Sequence, residues 1–171
     1  MDNQLVDVIA KDYSLKSTHK FIEANIHYKK CSFVGVDLTE SSYVRVKFSD
    51  CNFTGTNLAK VNLKQVEFYG CKIDTASFLQ GTFKSVTFNN CIINDTLFCE
   101  ASVLKLLRFA DCELSKLDMR AMVVKDKIDF RDSTLSDIWG ISSLKQVIIS
   151  ASQLTMISPV LALEAGISVT D

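Results

Sequence analysis

Proline and glycine are both scarce in this sequence of 171 residues, which contains one proline and six glycines. A conventional all-β sandwich needs a turn rich in glycine or proline about every ten residues, so this composition argues against that fold. The chain also lacks an excess of either charge, because 20 acidic and 19 basic side chains give a formal net charge of −1. Proteins that bind nucleic acid through bulk charge carry a basic excess, so we expect no direct binding to nucleic acid.

Long hydrophobic runs are missing as well. The first apolar run, residues 5–10, is short, contains Asp7 and lacks a basic leader, so it does not resemble a signal peptide. Residues 146–163 carry no charge but contain too many serine, threonine and glutamine side chains for a membrane span. We therefore expect a cytoplasmic protein that does not interact with membranes and whose cysteines are thiols.

Groups for catalysis are few. The sequence has two histidines, His19 and His27, and neither lies near a serine or cysteine in an arrangement typical of a nucleophile. No glycine-rich phosphate loop is present. We therefore expect a protein that is not an enzyme and that has no cofactor.

The main feature that is present is an apolar repeat with a period of five residues. A large apolar or aromatic residue occupies every fifth position from Tyr28 to Val103, and a smaller residue lies two positions before each one. Neither a helix nor a single strand has this period. A short extended segment does fit, because two inward side chains flank one outward residue and the other two residues turn a corner.

A second period of twenty residues shows that four such units make one coil. Two columns of residues follow it, with steps of twenty-one near their ends. The aromatic file consists of Tyr28, Phe48, Phe68, Phe88, Phe109 and Phe130. The thiol ladder consists of Cys31, Cys51, Cys71, Cys91 and Cys112. The extra residues fall between Val103 and Phe109 and between Val124 and Phe130, which predicts a one-residue bulge at each place.

The cysteine column is interpreted as buried thiols. Thiols stacked in one file cannot surround an ion tetrahedrally, and the usual Cys-x-x-Cys spacings of metal sites are absent. Free cysteine is among the most buried residue types. We therefore expect no metal site, and we expect Cys99, which lies outside the ladder, to be the exposed thiol.

Residues 26–135 resemble the pentapeptide repeat family, in which a small residue, a polar residue and a leucine or phenylalanine recur in each unit of five. The clearest matches are Cys51-Asn52-Phe53, Thr56-Asn57-Leu58, Val61-Asn62-Leu63 and Ala76-Ser77-Phe78. This resemblance implies an all-β fold, a right-handed quadrilateral parallel β-helix. It says little about function, because one fold hosts many roles.

The C-terminal part narrows the resemblance. Residues 144–154 and 164–169 are similar to the C-terminal module of the gyrase-interacting branch, which comprises Qnr-like and mycobacterial quinolone-resistance-like proteins and toxin-immunity proteins. The resemblance implies a DNA-mimicking protein that binds DNA gyrase or topoisomerase IV and protects it from quinolones or a gyrase-poisoning toxin. It also implies a C-terminal helix that mediates a homodimer. The projecting loops of Qnr-type proteins are missing here, so contact with gyrase would use the faces of the rod.

The residues themselves also predict a C-terminal helix. Ser150 or Ser152 can cap its start, Pro159 can restart it at a first position, and Gly166 can end it. A helix that is apolar on every side needs partners on every side, here the end of the coils and a second copy. The candidate dimer residues are Trp139, Leu154, Met156, Ile157, Val160, Leu161 and Leu163. The predicted organisation is an N-terminal cap over residues 1–25, a β-helix over 26–149, and a helical cap and dimerisation module over 150–171.

Imitation of DNA would require a surface of carboxylates that meets basic side chains of the partner. Residues 1–90 contain nine acidic and eleven basic side chains, whereas residues 91–140 contain nine and seven. The candidate gyrase-facing residues are Asp111, Glu113, Asp118, Asp126, Asp129, Asp132 and Asp137. Lysines and arginines are interleaved with them, so a mixed solvated surface fits equally well. The alternative function is therefore a generic protein-interaction scaffold with another partner.

Overall fold

In a computed structural model, which describes residues 5–13 and 20–168, the chain forms a parallel β-solenoid of about seven turns with one C-terminal helix. The strands are β1 (Val6–Ile9), β2 (Ile22–Ala24), β3 (Ile26–Lys29), β4 (Ser42–Ser49), β5 (Asn62–Tyr69), β6 (Lys72–Asp74), β7 (Thr82–Asn89), β8 (Ile92–Asn94), β9 (Ser102–Val103), β10 (Leu107–Ala110), β11 (Glu113–Asp118), β12 (Val123–Val124), β13 (Ile128–Asp129), β14 (Thr134–Trp139) and β15 (Val147–Ile148). A 3-10 helix spans Ile141–Ser143, and helix α1 spans Ala151–Glu164. The predicted fold class is confirmed.

Each coil has four faces, which we name A to D in chain order. Face A contains the aromatic file, and each of the other faces has its own column of inward centre residues. The column of face B is Phe33, Phe53, Ile73, Ile93, Leu114 and Leu135. The column of face C is Leu38, Leu58, Phe78, Phe98 and Met119. The column of face D is Tyr43, Leu63, Phe83, Val103 and Val124.

Parallel pairing joins each residue to its equivalent one coil later. Val46 pairs with Val66 and Val66 with Val86, which are steps of twenty. Val86 then pairs with Leu107, and Leu107 with Ile128, which are steps of twenty-one. Both extra residues therefore lie at the corner between faces D and A, where the sequence predicts bulges. The bulges keep the inward columns aligned, because a slip by one residue would turn the apolar side chains outward.

The aromatic file of face A is a continuous stack of rings. Neighbouring ring centroids from Tyr28 to Phe130 are 4.6–5.1 Å apart and their planes are within 15° of parallel. This separation matches the spacing of paired strands, roughly 4.8 Å. A second stack runs from Tyr13 through Phe33 to Phe53 at 4.8 Å steps, and it meets the first edge to face. The core is therefore built from rings in offset and T-shaped contact, which adds to the free energy gained from burial alone.

The corners of the coils adopt the left-handed backbone conformation. Except at the two bulged corners after Val103 and Val124, the second residue after an inward centre has a positive φ, as at Lys60 (57°), Gln65 (55°) and Gln80 (58°). Glycine occupies this corner position at Gly35, Gly55 and Gly70, whereas most other corners carry residues with a Cβ. The cost of the left-handed conformation for such residues is about 1–2 kcal/mol each. The stacked coils hold these corners in place.

The parallel register begins before the predicted repeat. Strand β1 pairs with β3, so that Val6 lies beside Ile26 and Val8 beside Tyr28. Asp12 also forms a bridge with Ser32. These residues lie in the segment predicted to cap the first coil. Residues 14–19 and 169–171, which include Thr18, His19 and the end of the C-terminal resemblance, lie outside the described residues.

Helix α1 begins and ends as the sequence predicts. Ser150 accepts a hydrogen bond from the backbone N–H of Gln153, and the Gln153 side chain accepts one from the Ser150 N–H, which forms a capping box. Gly166 has a φ of 73°, and the N–H groups of Gly166 and Ile167 donate to the carbonyls of Leu163 and Ala162. This pattern is the Schellman motif.

Pro159 lies inside helix α1, so the expectation that it restarts a helix at a first position is wrong. Proline lacks the N–H that would bond to the carbonyl four residues earlier, here that of Thr155. The Ser158 hydroxyl donates to this carbonyl at 2.9 Å. The helix continues because a side chain replaces the missing backbone donor.

Helix α1 covers the last coil through specific contacts. Gln153, which is 2% exposed, donates from Nε2 to the carbonyls of Phe130 and Ser133, both at 2.6 Å. Ile157 is also 2% exposed and packs against the core, and Leu161 is partly buried there. The Glu164 carboxylate accepts from the N–H groups of Gly140 and Ser142. The helix thereby satisfies backbone groups that no further coil pairs.

We predict that Phe68→Ala lowers the free energy of unfolding by about 3–5 kcal/mol, because it opens a cavity in the ring stack that the coils cannot close. Urea denaturation measures the change. Tyr69→Ala is the matched control, since Tyr69 is the next residue and is 42% exposed. Its loss should be below about 1 kcal/mol. Equal losses for the two variants would contradict the stacked core.

We predict that Gln65→Val lowers the free energy of unfolding by about 1–2 kcal/mol, because a β-branched side chain tolerates a positive φ poorly. Lys64→Val is the control, since Lys64 is the exposed neighbour in strand β5 and valine suits a strand. Thermal melts of both variants give the comparison. A loss at Lys64 as large as that at Gln65 would refute strain at the corners.

Candidate interaction surfaces

The candidate gyrase-facing carboxylates lie on all sides of the solenoid. Asp111 and Asp132 are at the corner between faces A and B, Glu113 is on face B, and Asp137 is at the corner between B and C. Asp118 is on face C, Asp126 is at the bulged corner between D and A, and Asp129 is on face A. Asp111, Glu113, Asp132 and Asp137 therefore share face B and its corners, whereas Asp118, Asp126 and Asp129 lie outside it, with Asp118 in the groove that Asp137 also lines.

Two of the separated carboxylates are paired with arginines two residues later. Arg131 donates from Nε and NH2 to Asp129 at 3.0 and 2.8 Å, and Asp129 itself is 4% exposed. Arg120 binds Asp118 in the same way. The hydrogen bond from Arg120 lowers the pKa of Asp118 to about 2, and that from Arg131 lowers the pKa of Asp129. These side chains present neutral pairs to a partner.

Face B and its two corners form an acidic surface. Its carboxylates are Asp50, Asp74, Asp95, Asp111, Glu113, Asp132 and Asp137. Lys30, Lys72 and Lys116 lie among them, so between residues 30 and 137 seven negative and three positive charges give this surface a net charge of −4. Asp50, Asp74 and Asp95 are not among the gyrase-facing residues predicted from the sequence. Projecting the charged residues onto the twenty-residue period would have found them.

Two grooves lie along the corners of the acidic surface. The larger, about 620 Å³, follows the corner between faces B and C and is lined by Asp95, Leu97, Lys116, Asp118, Arg120, Asp137 and Trp139. Leu97 and Trp139 are 42% and 41% exposed there. The smaller, about 300 Å³, follows the corner between A and B beside Asp50, Asp111 and Glu113. Gly70 leaves it open, because a Cβ there would lie 2.6 Å from an Asp50 carboxylate oxygen.

The candidate dimer residues divide into buried and exposed sets. Ile157 and Leu161 pack on the protein's own core, and Val160 is half-buried. Leu154, Met156 and Leu163 expose about half of their surface on helix α1. Trp139 lies in the larger groove rather than on the helix. Apolar side chains are therefore available for a second protein on two sides of α1, because Leu154 lies about half a turn around the helix from Met156 and Leu163.

The thiols occupy the positions that the cysteine column predicts. The five ladder cysteines are free and buried, and the Sγ atoms of Cys71 and Cys91 contact the carbonyls of Phe48 and Phe68 at 3.5 and 3.4 Å. Contact with the Cys51 and Cys91 thiols, together with burial, raises the pKa of Cys71. Cys99 is half-buried, and burial raises its pKa to about 11. Cys71 and Cys99 therefore stay protonated at neutral pH and are poor nucleophiles.

The other titratable groups do not converge. His27 lies 3.4 Å from the Asp7 carboxylate, and burial lowers the pKa of its ring. Within residues 5–13 and 20–168, no group of three or more histidine, cysteine, aspartate or glutamate side chains is arranged to hold a metal ion. No helix in this part of the chain is long and apolar enough to cross a membrane. What the surfaces offer chemically is charge, hydrogen bonds and apolar contact.

Comparison with solved structures found similar chains. Full-length QnrB1, a plasmid-mediated fluoroquinolone resistance protein, is 15% identical and matches 94% of this chain and 100% of its own, with a TM-score of 0.33. HetL, a pentapeptide repeat protein involved in heterocyst differentiation regulation from the cyanobacterium Nostoc sp. strain PCC 7120, is 14% identical and matches 74% of this chain and 66% of its own, with a TM-score of 0.40. No curated protein matches the sequence.

A family model supplies the assignment. The model described as a pentapeptide repeat region matches residues 23–98. Those residues contain the uninterrupted five-residue register and the in-phase coils described above. Residues 23–98 are therefore a pentapeptide repeat region.

Proposed function

We propose that this protein is a non-enzymatic DNA mimic that binds DNA gyrase or topoisomerase IV and protects it from quinolones or a gyrase-poisoning toxin. The observation that carries the proposal is the acidic surface on face B and its corners. The same chain also has a C-terminal segment that resembles the gyrase-interacting branch of the family. The phosphate-binding lysines and arginines of the enzyme would meet carboxylates in place of phosphates.

The spacing of the acidic surface supports imitation of a nucleic-acid backbone. Equivalent positions in neighbouring coils are roughly 4.8 Å apart, and DNA carries one phosphate per ~3.4 Å along each strand. Asp111 and Asp132 are one coil apart at the same corner, and Glu113 lies beside them on face B. Carboxylates at this spacing can engage neighbouring basic side chains of the enzyme together. Such complementarity raises the association rate and sets the register of the complex.

The larger groove gives the acidic surface a point of specific contact. Trp139 offers an aromatic ring and Asp137 a carboxylate within the same groove. A lysine or arginine of the partner can place its cation over the ring and its charge near the carboxylate. Aromatic anchors in grooves contribute a large share of binding energy at protein interfaces. We assign this groove the role of an anchor for one basic side chain of the enzyme.

Helix α1 completes the proposal as a dimerisation module. Leu154, Met156 and Leu163 form its exposed apolar part, while Gln153 and Ile157 fix the helix on the last coil. A second copy around a two-fold axis would cover this part with the same residues. The dimer would offer two copies of the acidic surface to the enzyme.

We predict that the protein inhibits supercoiling by purified gyrase and reduces quinolone-induced cleavage. The double variant Asp111→Asn/Glu113→Gln should need at least about tenfold more protein for the same effect, because it removes adjacent charges from the acidic surface. Glu100→Gln/Asp126→Asn is the control, since it changes the net charge equally on other sides of the solenoid. A gel-based supercoiling assay measures both.

Two outcomes would count against the gyrase proposal. If the unaltered protein neither inhibits nor protects at any concentration, gyrase is not its target, and a scaffold with another protein partner is favoured. If both double variants weaken the effect equally, the effect follows net charge rather than the acidic surface.

We predict that Leu154→Asp produces a monomer, because a carboxylate would be buried without a partner at the α1 contact. Analytical ultracentrifugation of the full chain measures the mass. Ile92→Asp is the control, since Ile92 is also about half exposed (51%) but lies on face B. Thermal melts establish that both variants are folded. An unchanged sedimentation coefficient for folded Leu154→Asp would refute this interface.

A further inference from the structure

Face D carries a row of basic side chains through successive coils. Lys64 and Lys84 are direct partners in strands β5 and β7. The N–H of Leu104 bonds to the Phe83 carbonyl, and that of Lys125 bonds to the Val103 carbonyl, so Lys125 continues the same column beyond Leu104. Lys145 borders a shallow groove with Val123 and Val124. The basic row consists of Arg45, Lys64, Lys84, Lys105, Lys125, Lys127 and Lys145.

The charges of the basic row are not compensated. Asp126 is the one carboxylate on face D between residues 42 and 145, so seven positive charges and one negative give a net charge of +6. Within the described part of the chain, none of these seven basic side chains forms an ion pair with a carboxylate. On face A, by contrast, Lys47 pairs with Glu67 at 3.3 Å and Arg131 with Asp129 at 2.8 Å.

This arrangement destabilises the isolated protein. Like charges directly opposite each other on neighbouring strands are destabilising. Lys64 and Lys84 occupy such positions, and Lys125 is in the same column. An anion that spans several coils would remove the repulsion. The row therefore fits a ligand with regularly spaced negative charges.

Hydrogen-bond donors accompany the row. The outward residues in the middle of face D are Ser42, Asn62, Thr82, Ser102 and Val123. Hydroxyl and amide side chains, together with lysine, are the usual partners of DNA phosphates. None of these five is aromatic, so this column offers no ring on which an unpaired base could stack. The chemistry favours the backbone of a duplex over a single strand.

We infer that face D binds the phosphate backbone of double-stranded DNA without sequence preference. Lys64 and Lys145 are four coils apart, roughly 19 Å at the spacing of paired strands. That length faces about five phosphates of one DNA strand. The flat face carries no element that enters a groove to read bases, which accounts for the absence of sequence preference.

Direct binding to DNA differs from the expectation that the net charge gives. A total of −1 describes the whole chain, but opposite faces of the coil carry opposite signs: the acidic surface follows face B and the basic row follows face D. Binding to DNA is a separate property from binding to gyrase. It requires only this protein and a duplex, so its failure and that of the gyrase proposal are distinguishable.

Fluorescence anisotropy of a labelled 20-base-pair duplex, titrated with the full chain between 50 and 200 mM salt, tests the inference. At the lowest salt concentration we expect a dissociation constant in the micromolar range. We expect the logarithm of the affinity to fall with the logarithm of the salt concentration with a slope of about −4, which corresponds to four to five phosphate contacts. The triple variant Lys64→Gln/Lys84→Gln/Lys125→Gln should bind at least about tenfold more weakly and reduce the magnitude of the slope by about 3.

The matched control is Lys30→Gln/Lys72→Gln/Lys116→Gln, which removes the same charge from the acidic surface. It should retain both affinity and slope. Equal losses in the two triple variants would overturn the inference, as would binding to the single strand but not the duplex. Binding to anionic vesicles without binding to the duplex would also overturn it. The melting temperature of the first variant should not fall, because its repulsion is reduced, so lost binding is not lost folding.

Discussion

The hydrogen-bonded stacking of one coil on the next is the constraint on which the rest of this structure depends. Each backbone unit pairs with its equivalent twenty or twenty-one residues later, so every side chain lies directly over another of the same position. Phe68 lies between Phe48 and Phe88 for this reason, and Cys71 between two other thiols. Properties that are scattered along the sequence become columns in space. Rings, thiols and charges are all organised by this single rule.

The inward columns could be predicted from the sequence because burial imposes residue type. An inward position in a narrow coil accepts only apolar or small side chains, so periods of five and twenty are visible directly, and both bulges follow from the places where the period changes. The left-handed corners could not be predicted in this way, since Lys60 and Gln65 carry no turn signal and are held by the stack. The prediction for Pro159 was wrong for a related reason. Proline does remove a backbone donor from the helix, but the Ser158 hydroxyl replaces the missing hydrogen bond.

Charge was harder to interpret than apolarity, because outward positions accept almost any polar residue. Counts of charged residues over consecutive stretches of the chain combine all four faces of the solenoid. A partner, however, contacts one face at a time. Asp118 and Asp129 illustrate a second difficulty, since arginines two residues away neutralise carboxylates that the sequence alone presents as free. Once the coil geometry is known, the acidic surface and the basic row are separate objects.

The contact between Gln153 and the carbonyls of Phe130 and Ser133 has a consequence for assembly. A parallel solenoid grows by adding strands, and an uncovered last coil is a template onto which another chain can polymerise. An amide side chain that occupies those acceptors terminates growth at this end chemically, as well as sterically. Loss of the amide would leave an edge of the kind that seeds fibrils. The C-terminal helix is thus also a stop signal that keeps a self-propagating architecture finite.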